Sequence, residues 1–314
     1  MTNDEFRDFA DALDLPVELD SPFGSLTTYR VGGNASAMVE VRDVESLRRV
    51  TGAASRRGLG FVVLGRGSNL LVADEGYRGV VVRLTGDHEV VEIDPEDRSV
   101  TAGAAAMLPI VARRSAAAGL SGFEWAVGVP GTVGGAVRMN AGGHGSDMAA
   151  SVEVADVLDA RSGSVTRRDR EALGFEFRSS ALGAGDVVVR VVLRLHPCDA
   201  VEAERRIDDI VRWRRENQPG GQNAGSVFVN PVPGEVTAGR LVDDAGLRGF
   251  RLGSAEVSTK HANFIQADEG GRAADVLAVM RHVREVVRRT SGFDLRSEIR
   301  LIGFTDPDGT GVAS

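Results

Sequence analysis

Lysine is almost missing from this chain: Lys260 is the single one among 37 basic residues. No Gly-Lys-Ser/Thr ending is present, so a Walker-type phosphate loop is excluded. A pyridoxal Schiff base would have Lys260 as its one candidate. Cysteine is equally scarce, and Cys198 alone permits neither an intrachain disulfide nor thiol-pair redox chemistry. Aromatic residues make up only 5%, against 39 glycines, which points to tight turns and close backbone approaches rather than ring stacking. No apolar run nears the roughly 20 residues that span a membrane. The opening MTNDEFRDFADALDL is acidic and amphipathic, with Phe6, Phe9 and Leu13 on one helical face, and lacks the basic start of a signal peptide. The cytoplasm is therefore the expected location. The five histidines form no HxxxH or Cys/His grouping, which argues against zinc. A net charge of −8 argues against general nucleic-acid binding.

What is present is α/β material with short helices and many strands, in a chain of 314 residues able to form two or three lobes. Asp43 caps a helix that Gly58 closes. FVVLG reads as a buried strand, LLVADEGYRGVVVRL as two strands about a turn, and HEVVEIDPEDRSVTAG as a strand pair turning at Pro95–Asp97. MLPIVARRSAAAGLSG predicts a helix ending near Gly119. SVEVADVLDARSGSVTRRDREAL predicts a hairpin running into a helix, and DVVVRVVLRLHP a strand. After the charged helix DAVEAERRIDDIVRWRREN, a second apolar-striped helix carries Val276, Met280, Val283 and Val287. LRSEIRLIGF is expected as the last strand.

Two glycine segments could carry chemistry. In VLGRGSNLL, a strand runs into Gly65, Arg66, Gly67, Ser68 and Asn69, offering either a plain turn or a backbone cradle for an anion. It is not a dinucleotide fingerprint, since Leu70 stands at the third glycine position. Residues 128–145, GVPGTVGGAVRMNAGGHG, hold seven glycines and are too glycine-rich for regular structure. Their apolar residues suit a ligand-lining loop better than a linker. Two such loops without a lysine suggest a large phosphate-bearing cofactor held by backbone. FEFRSSAL, NAGSVFVNP and LRSEIRLIG each set one polar residue, Arg178, Ser226 or Glu298, in strand-like sequence. Spacing alone does not join them.

In this order, TYRVGGNA, LGRGSNLLVADEGYRGVVV, AVGVPGTVGGAVRMNAGGHG, FRSS, NAGSVFVNP, AGRLVDDAGLRG, VSTKHANFI and SEIRLIG resemble the MurB family, the UDP-N-acetylenolpyruvoylglucosamine reductases, from Thr27 to Gly303. The resemblance is to the branch without the long substrate-loop insertion. It implies an α+β protein. An FAD-binding fold of the PCMH and vanillyl-alcohol-oxidase type, built of two α/β subdomains, would precede a C-terminal substrate-binding domain. The division it implies is an N-terminal helix within 1–20, the FAD domain over 21–196 (subdomains 21–84 and 85–196), the substrate domain over 197–304 and a flexible tail over 305–314. The activity implied is NADPH-dependent reduction of a UDP-sugar enol ether through noncovalent FAD, by a monomer with no nucleic-acid or membrane partner. Carried over by motif, Arg178, Ser226 and Glu298 become catalytic, with Ser226 the proton donor. Tyr29, Arg30, Gly65, Arg66, Gly67, Ser68, Asn69, Gly128, Pro130, Gly131, Gly134, Gly135, Asn140 and Gly142 become cofactor residues. Asn230, Lys260, His261 and Asn263 become substrate contacts.

The chain departs from the family pattern at four places. Phe177 replaces a tyrosine, Asn217 and Val229 stand at frequent lysine positions, and Arg296–Ser297 replaces Glu-Pro. Arg212, Arg214 and Lys260 are the candidates to replace the missing lysines. Two other readings stay open at this point: an FAD oxidase or dehydrogenase of small alcohols, and a non-catalytic nucleotide-sugar-binding paralogue.

Overall fold

The structure is a computed structural model and describes residues 3–305. The tail expected over 305–314 therefore lies, beyond Thr305, outside the described residues. Two compact units are formed, each from discontinuous chain. The first takes the N-terminal residues through Leu19, Ala37–Gly65 and Gly79–Arg214. The second takes Asp20–Ser36, Arg66–Arg78 and the chain from Arg215 onward. Two short stretches of the expected flavin-binding region, 20–36 and 66–78, thus fold with the C-terminal third.

In the first unit the N-terminal helix is only Asn3–Asp11, and a strand, Val17–Ser21, begins before residue 20. Pro16 disfavours helical backbone at Leu15, so the helix cannot run on towards residue 20. Phe6, Phe9 and Leu13 are buried, as their shared face requires. Asp43 caps the helix Val44–Arg56 by accepting the Ser46 N–H at 2.7 Å. That bond holds the Asp43 carboxyl below the ordinary carboxylate range. A group depressed in the folded state contributes stability above its unfolded pKa and loses it as pH falls through the folded one. Asp43→Ala is expected to cost about 1 kcal/mol at neutral pH. Urea titrations of both proteins should show that gap closing on acidification.

A five-stranded antiparallel sheet is the centre of the first unit, in the order Val165–Asp169, Val152–Asp159, Asp186–Arg194, Ser99–Gly103, Val91–Asp94. The hairpin at Pro95–Asp97 forms as expected, with Asp94 Oδ1 accepting the N–H groups of Glu96 and Asp97. In Asp186–Arg194 the face of Val187, Val189, Val191 and Leu193 lies in the core, and Val188 on the other face is buried as well. Phe61–Leu64, read as buried, has only Leu64 buried. No helix follows Val165–Asp169. Residues 170–173 form turns instead, and Asp169 Oδ1 accepts the Ala172 N–H.

The second unit corrects another expectation. Leu70–Val72 and Tyr77–Leu84 do not pair with each other. Leu70–Val72 runs parallel to Arg300–Ile302, with Leu71 opposite Leu301, while Tyr77–Leu84 lies between Ala35–Val41 and Phe61–Leu64. The turn between them is occupied elsewhere: Ala73 accepts the Gly33 N–H at 2.8 Å and donates to Ile302 at 2.8 Å. Helix Ala273–Ser291 buries Val276, Met280, Val283 and Val287 as its stripe requires. It packs on the three-stranded sheet Arg251–Leu252, Ala255–Val257, Ile265–Ala267. Asp74 caps its start from far away in sequence, accepting the N–H groups of Ala273 at 2.8 Å and Ala274 at 3.1 Å. Nothing beside Asp74 in the sequence signals that role.

Candidate active site

Ser226 and Glu298 come together in the second unit. The sequence reads both segments as strands, yet neither is regular there: Phe228 and Ser297 form an isolated antiparallel bridge, and the last strand is only Arg300–Ile302. Around that bridge the Glu298 N–H donates to the Val227 carbonyl at 2.8 Å, and the Val229 N–H to the Arg296 carbonyl at 2.9 Å. Ser226 is thus one residue from the carbonyl that holds Glu298. Asn69 fixes the same stretch from the first glycine loop. Its Nδ2 donates to the Glu298 carbonyl at 2.9 Å, and its own carbonyl accepts the Arg300 N–H at 3.0 Å. Ser226 is half-buried, and its hydroxyl makes no hydrogen bond among the described residues. Among the described residues no histidine is hydrogen-bonded to Ser226, and an activated serine nucleophile would need one.

Arg178 belongs to the first unit and is not on a strand. Its φ is +59°, a left-handed conformation rare for a residue with a side chain. The guanidinium donates to the Gly142 carbonyl at 2.9 Å and the Asn140 carbonyl at 3.4 Å, and lies 4.9 Å over the Phe177 ring. Phe177 therefore keeps an aromatic platform under the cation although it lacks a hydroxyl. Asn140, itself at φ +40°, organises the surroundings. Its Nδ2 donates to the Glu176 carbonyl at 2.9 Å and to Asp147, and its Oδ1 accepts the Ala149 N–H. Ser180 Oγ donates to the Arg138 carbonyl at 2.8 Å, and Arg138 reaches back to the carbonyls of Leu182, Gly183 and Asp186. The glycine segment and the Arg178 loop are one hydrogen-bonded body. The segment also contains regular structure that the sequence hid, a helix over Val133–Met139.

Comparison with known proteins places these features in a family. A family model described as the C-terminal domain of UDP-N-acetylenolpyruvoylglucosamine reductase matches residues 217–302, and one described as an FAD binding domain matches 35–168. The reductase of that name from Rubrobacter xylanophilus is 40% identical over 91% of this chain and 95% of its own length. The Bacillus subtilis reductase is 36% identical over 90% of this chain and 93% of its own. The chain belongs to the UDP-N-acetylenolpyruvoylglucosamine reductase family. The crystal structure of the Thermus caldophilus reductase (MurB) is similar in fold, with a TM-score of 0.78 and 38% identity, covering 92% of this chain and 98% of that one.

The glycines test whether an FAD fits. Several are required by the chain's own packing. A Cβ at Gly65 would stand 2.5 Å from Thr132 Oγ1, where the two glycine segments meet, and one at Gly134 would stand 2.9 Å from Ala104 Cβ. Gly142 is pressed on Ser146 and Asp147, Gly128 on Arg214, and Gly67 has φ +61° against Thr27. Gly135 and Gly143 are different. Gly135 is exposed with Thr132 Oγ1 at 3.6 Å from a Cβ, Gly143 has nothing within 4 Å, and neither has a positive φ. Their lack of a side chain suits close approach by a ligand, so the residues present fit the cofactor of the family. Arg30, Arg66 and Pro130 are exposed, and Ser68 and Gly131 half-buried. Tyr29 is fully buried in the second unit's core with its hydroxyl unpartnered among the described residues; burial pushes that phenol well above its ordinary range.

The expected substrate residues are partly committed to the protein itself. Asn230 Oδ1 accepts the Ala238 N–H at 3.0 Å, and Lys260 Nζ donates to the Arg215 carbonyl at 2.7 Å. His261 is half-buried, and burial pulls its pKa down. Its neutral Nδ1 accepts the Asn263 N–H at 3.2 Å. Asn263 is buried, with both ends of its amide on Phe228. Val229 is buried in the core, Arg212 pairs with Asp209, and Arg214 packs on Gly128. A cavity of about 1030 Å³ in the second unit, lined by Asp74, Tyr77, Arg78, Arg281 and His282 among others, contains none of the expected site residues.

Proposed function

We propose that this chain reduces the enolpyruvyl group of UDP-N-acetylglucosamine enolpyruvate to give UDP-N-acetylmuramate in peptidoglycan synthesis, with noncovalent FAD and NADPH as reductant. The observation that carries the reading is Ser226: a half-buried hydroxyl without a base, on a segment whose following residues are fixed by backbone bonds. When bound, FAD supplies the hydride relay between NADPH and the enolpyruvyl β-carbon. Arg178, Ser226 and Glu298 do the rest. As the β-carbon gains hydride, negative charge grows on the substrate carboxylate, where the guanidinium of Arg178 stabilises it. Arg178 is preorganised for this by two carbonyls and the Phe177 ring. The Glu298 carboxyl holds a proton or hydrogen bond on the same enolate. Ser226 Oγ gives its proton to the α-carbon, so one hydride and one proton complete the reduction.

FAD binding falls to residues within 21–196 and UDP-sugar binding to residues within 197–304, with Asn230, Lys260 and His261 among the contacts. The enzyme acts in the cytoplasm as a monomer. Among the described residues no helix is long and apolar enough to cross a membrane. The expected result is NADPH consumption that depends on the UDP-sugar enol ether, with a product two hydrogens heavier by mass spectrometry. NADPH consumption at the same rate with oxygen alone would overturn this reading in favour of an oxidase.

A further inference from the structure

Asn263 is 4% exposed, and the polar atoms of its side chain serve one residue 35 positions away. Oδ1 accepts the Phe228 N–H at 3.0 Å, and Nδ2 donates to the Phe228 carbonyl at 2.8 Å. The Asn263 main-chain carbonyl accepts the Val227 N–H at 2.8 Å. One asparagine therefore holds both residues that follow Ser226, its amide standing in for a peptide unit of a neighbouring strand. The opposite edge of the segment is held by the bonds of Val227 and Val229 to Glu298 and Arg296. Segment 227–229 is thus bonded on two sides like an inner strand, without being regular. Before Ser226 the restraint is local: Gly225, at φ +77°, donates its N–H to Asn223 Oδ1 at 3.0 Å, two residues back. Ser226 is followed by two residues that Asn263 holds, Val227 through its N–H and Phe228 through both of its main-chain groups, so Asn263 fixes the main chain on that side.

We propose that Asn263 is a positioning residue for Ser226 rather than a substrate contact. This inference rests on the reading of Ser226 as the proton donor. Proton delivery to carbon is steep in distance, and a displacement of about 1 Å costs on the order of 100-fold in rate. Without the amide, the buried N–H and carbonyl of Phe228 lose their partners, and the segment must shift to reach others.

Asn263→Ala, and the milder Asn263→Ser that leaves one hydroxyl for one of the two bonds, test this in two ways. Hydrogen–deuterium exchange on the FAD-free proteins should show faster exchange in a peptide covering residues 224–231, most in Asn263→Ala. With FAD bound, reoxidation of the reduced flavin by the UDP-sugar should slow by roughly 100-fold in Asn263→Ala and less in Asn263→Ser, while reduction by NADPH stays within about twofold. Equal slowing of both half-reactions, loss of flavin in both variants, or an unchanged rate with the UDP-sugar would overturn the proposal. Failure of the underlying reading shows itself separately, as a Ser226→Ala protein that still reduces the sugar at the parent rate.

Discussion

Ser226→Ala reduces the UDP-sugar at least about 100-fold more slowly, while its flavin is reduced by NADPH at the parent rate within about twofold. The size follows from what the hydroxyl does. A serine is a very weak acid in water, and it serves here only because the α-carbon becomes basic as hydride arrives and because the donor is already in place. Alanine removes the donor and leaves the segment intact, since no hydrogen bond of the described residues uses the Ser226 hydroxyl and the segment is held through the main-chain groups of Val227, Phe228 and Val229. Flavin content and stability should therefore match the parent. NADPH needs no proton from Ser226, so its half-reaction is the internal control. Anaerobic stopped-flow on each half-reaction measures both rates. A variant in which the two rates fall together would mean that Ser226 supports the fold or the flavin and not the protonation.

Gly32→Ala is expected to cost the second unit about 3 kcal/mol or more. Gly32 has φ +103°, and a Cβ there would stand 2.2 Å from the Val72 carbonyl oxygen. The obstacle is backbone, and it belongs to the strand paired with Arg300–Ile302. The turn cannot move away cheaply, because Gly33 donates to Ala73 and Gly24 donates to Gly33. Gly246 supplies the comparison within the same unit. Its φ is +72° with nothing within 4 Å, so Gly246→Ala carries only the conformational term, about 1 kcal/mol. Denaturant titrations should place Gly32→Ala well below Gly246→Ala. Equal midpoints would mean that the close approach at Val72 yields without cost.

These two positions also show which parts of the fold the sequence reveals. Local signals read well: Asp43 before a helix, the turn at Pro95–Asp97, the valine-rich strand Asp186–Arg194 and the stripe from Val276 to Val287 each concern residues within a few positions. Pairings across long separations did not. Leu70–Val72 looked like half of a hairpin with Tyr77–Leu84, but its partner is Arg300–Ile302, and only tertiary packing chooses between two acceptable edges. The helix Val133–Met139 was hidden because Gly134 and Gly135 lower its propensity, while close packing on Ala104 makes glycine necessary at the first of them.

The site itself was legible as residue types and hidden as geometry. Arg178 and Ser226 sit in strand-like sequence, yet the structure puts Arg178 at φ +59° in a turn and Ser226 beside an isolated bridge. Asn69, Asn140 and Asn263 were read as ligand contacts. Each also gives its side-chain amide to backbone, at Glu298, at Glu176 and Ala149, and at Phe228. An asparagine's letter is the same in both roles, and a partner between 9 and 229 positions away leaves no mark beside it.

The central claim is tested most directly by one anaerobic spectral series on the FAD-loaded protein. NADPH is added first and UDP-N-acetylglucosamine enolpyruvate second. The account predicts bleaching of the flavin by NADPH and recovery of the oxidised spectrum only when the UDP-sugar is added. Bleaching that the UDP-sugar fails to reverse, or a protein that takes up no FAD, would contradict it.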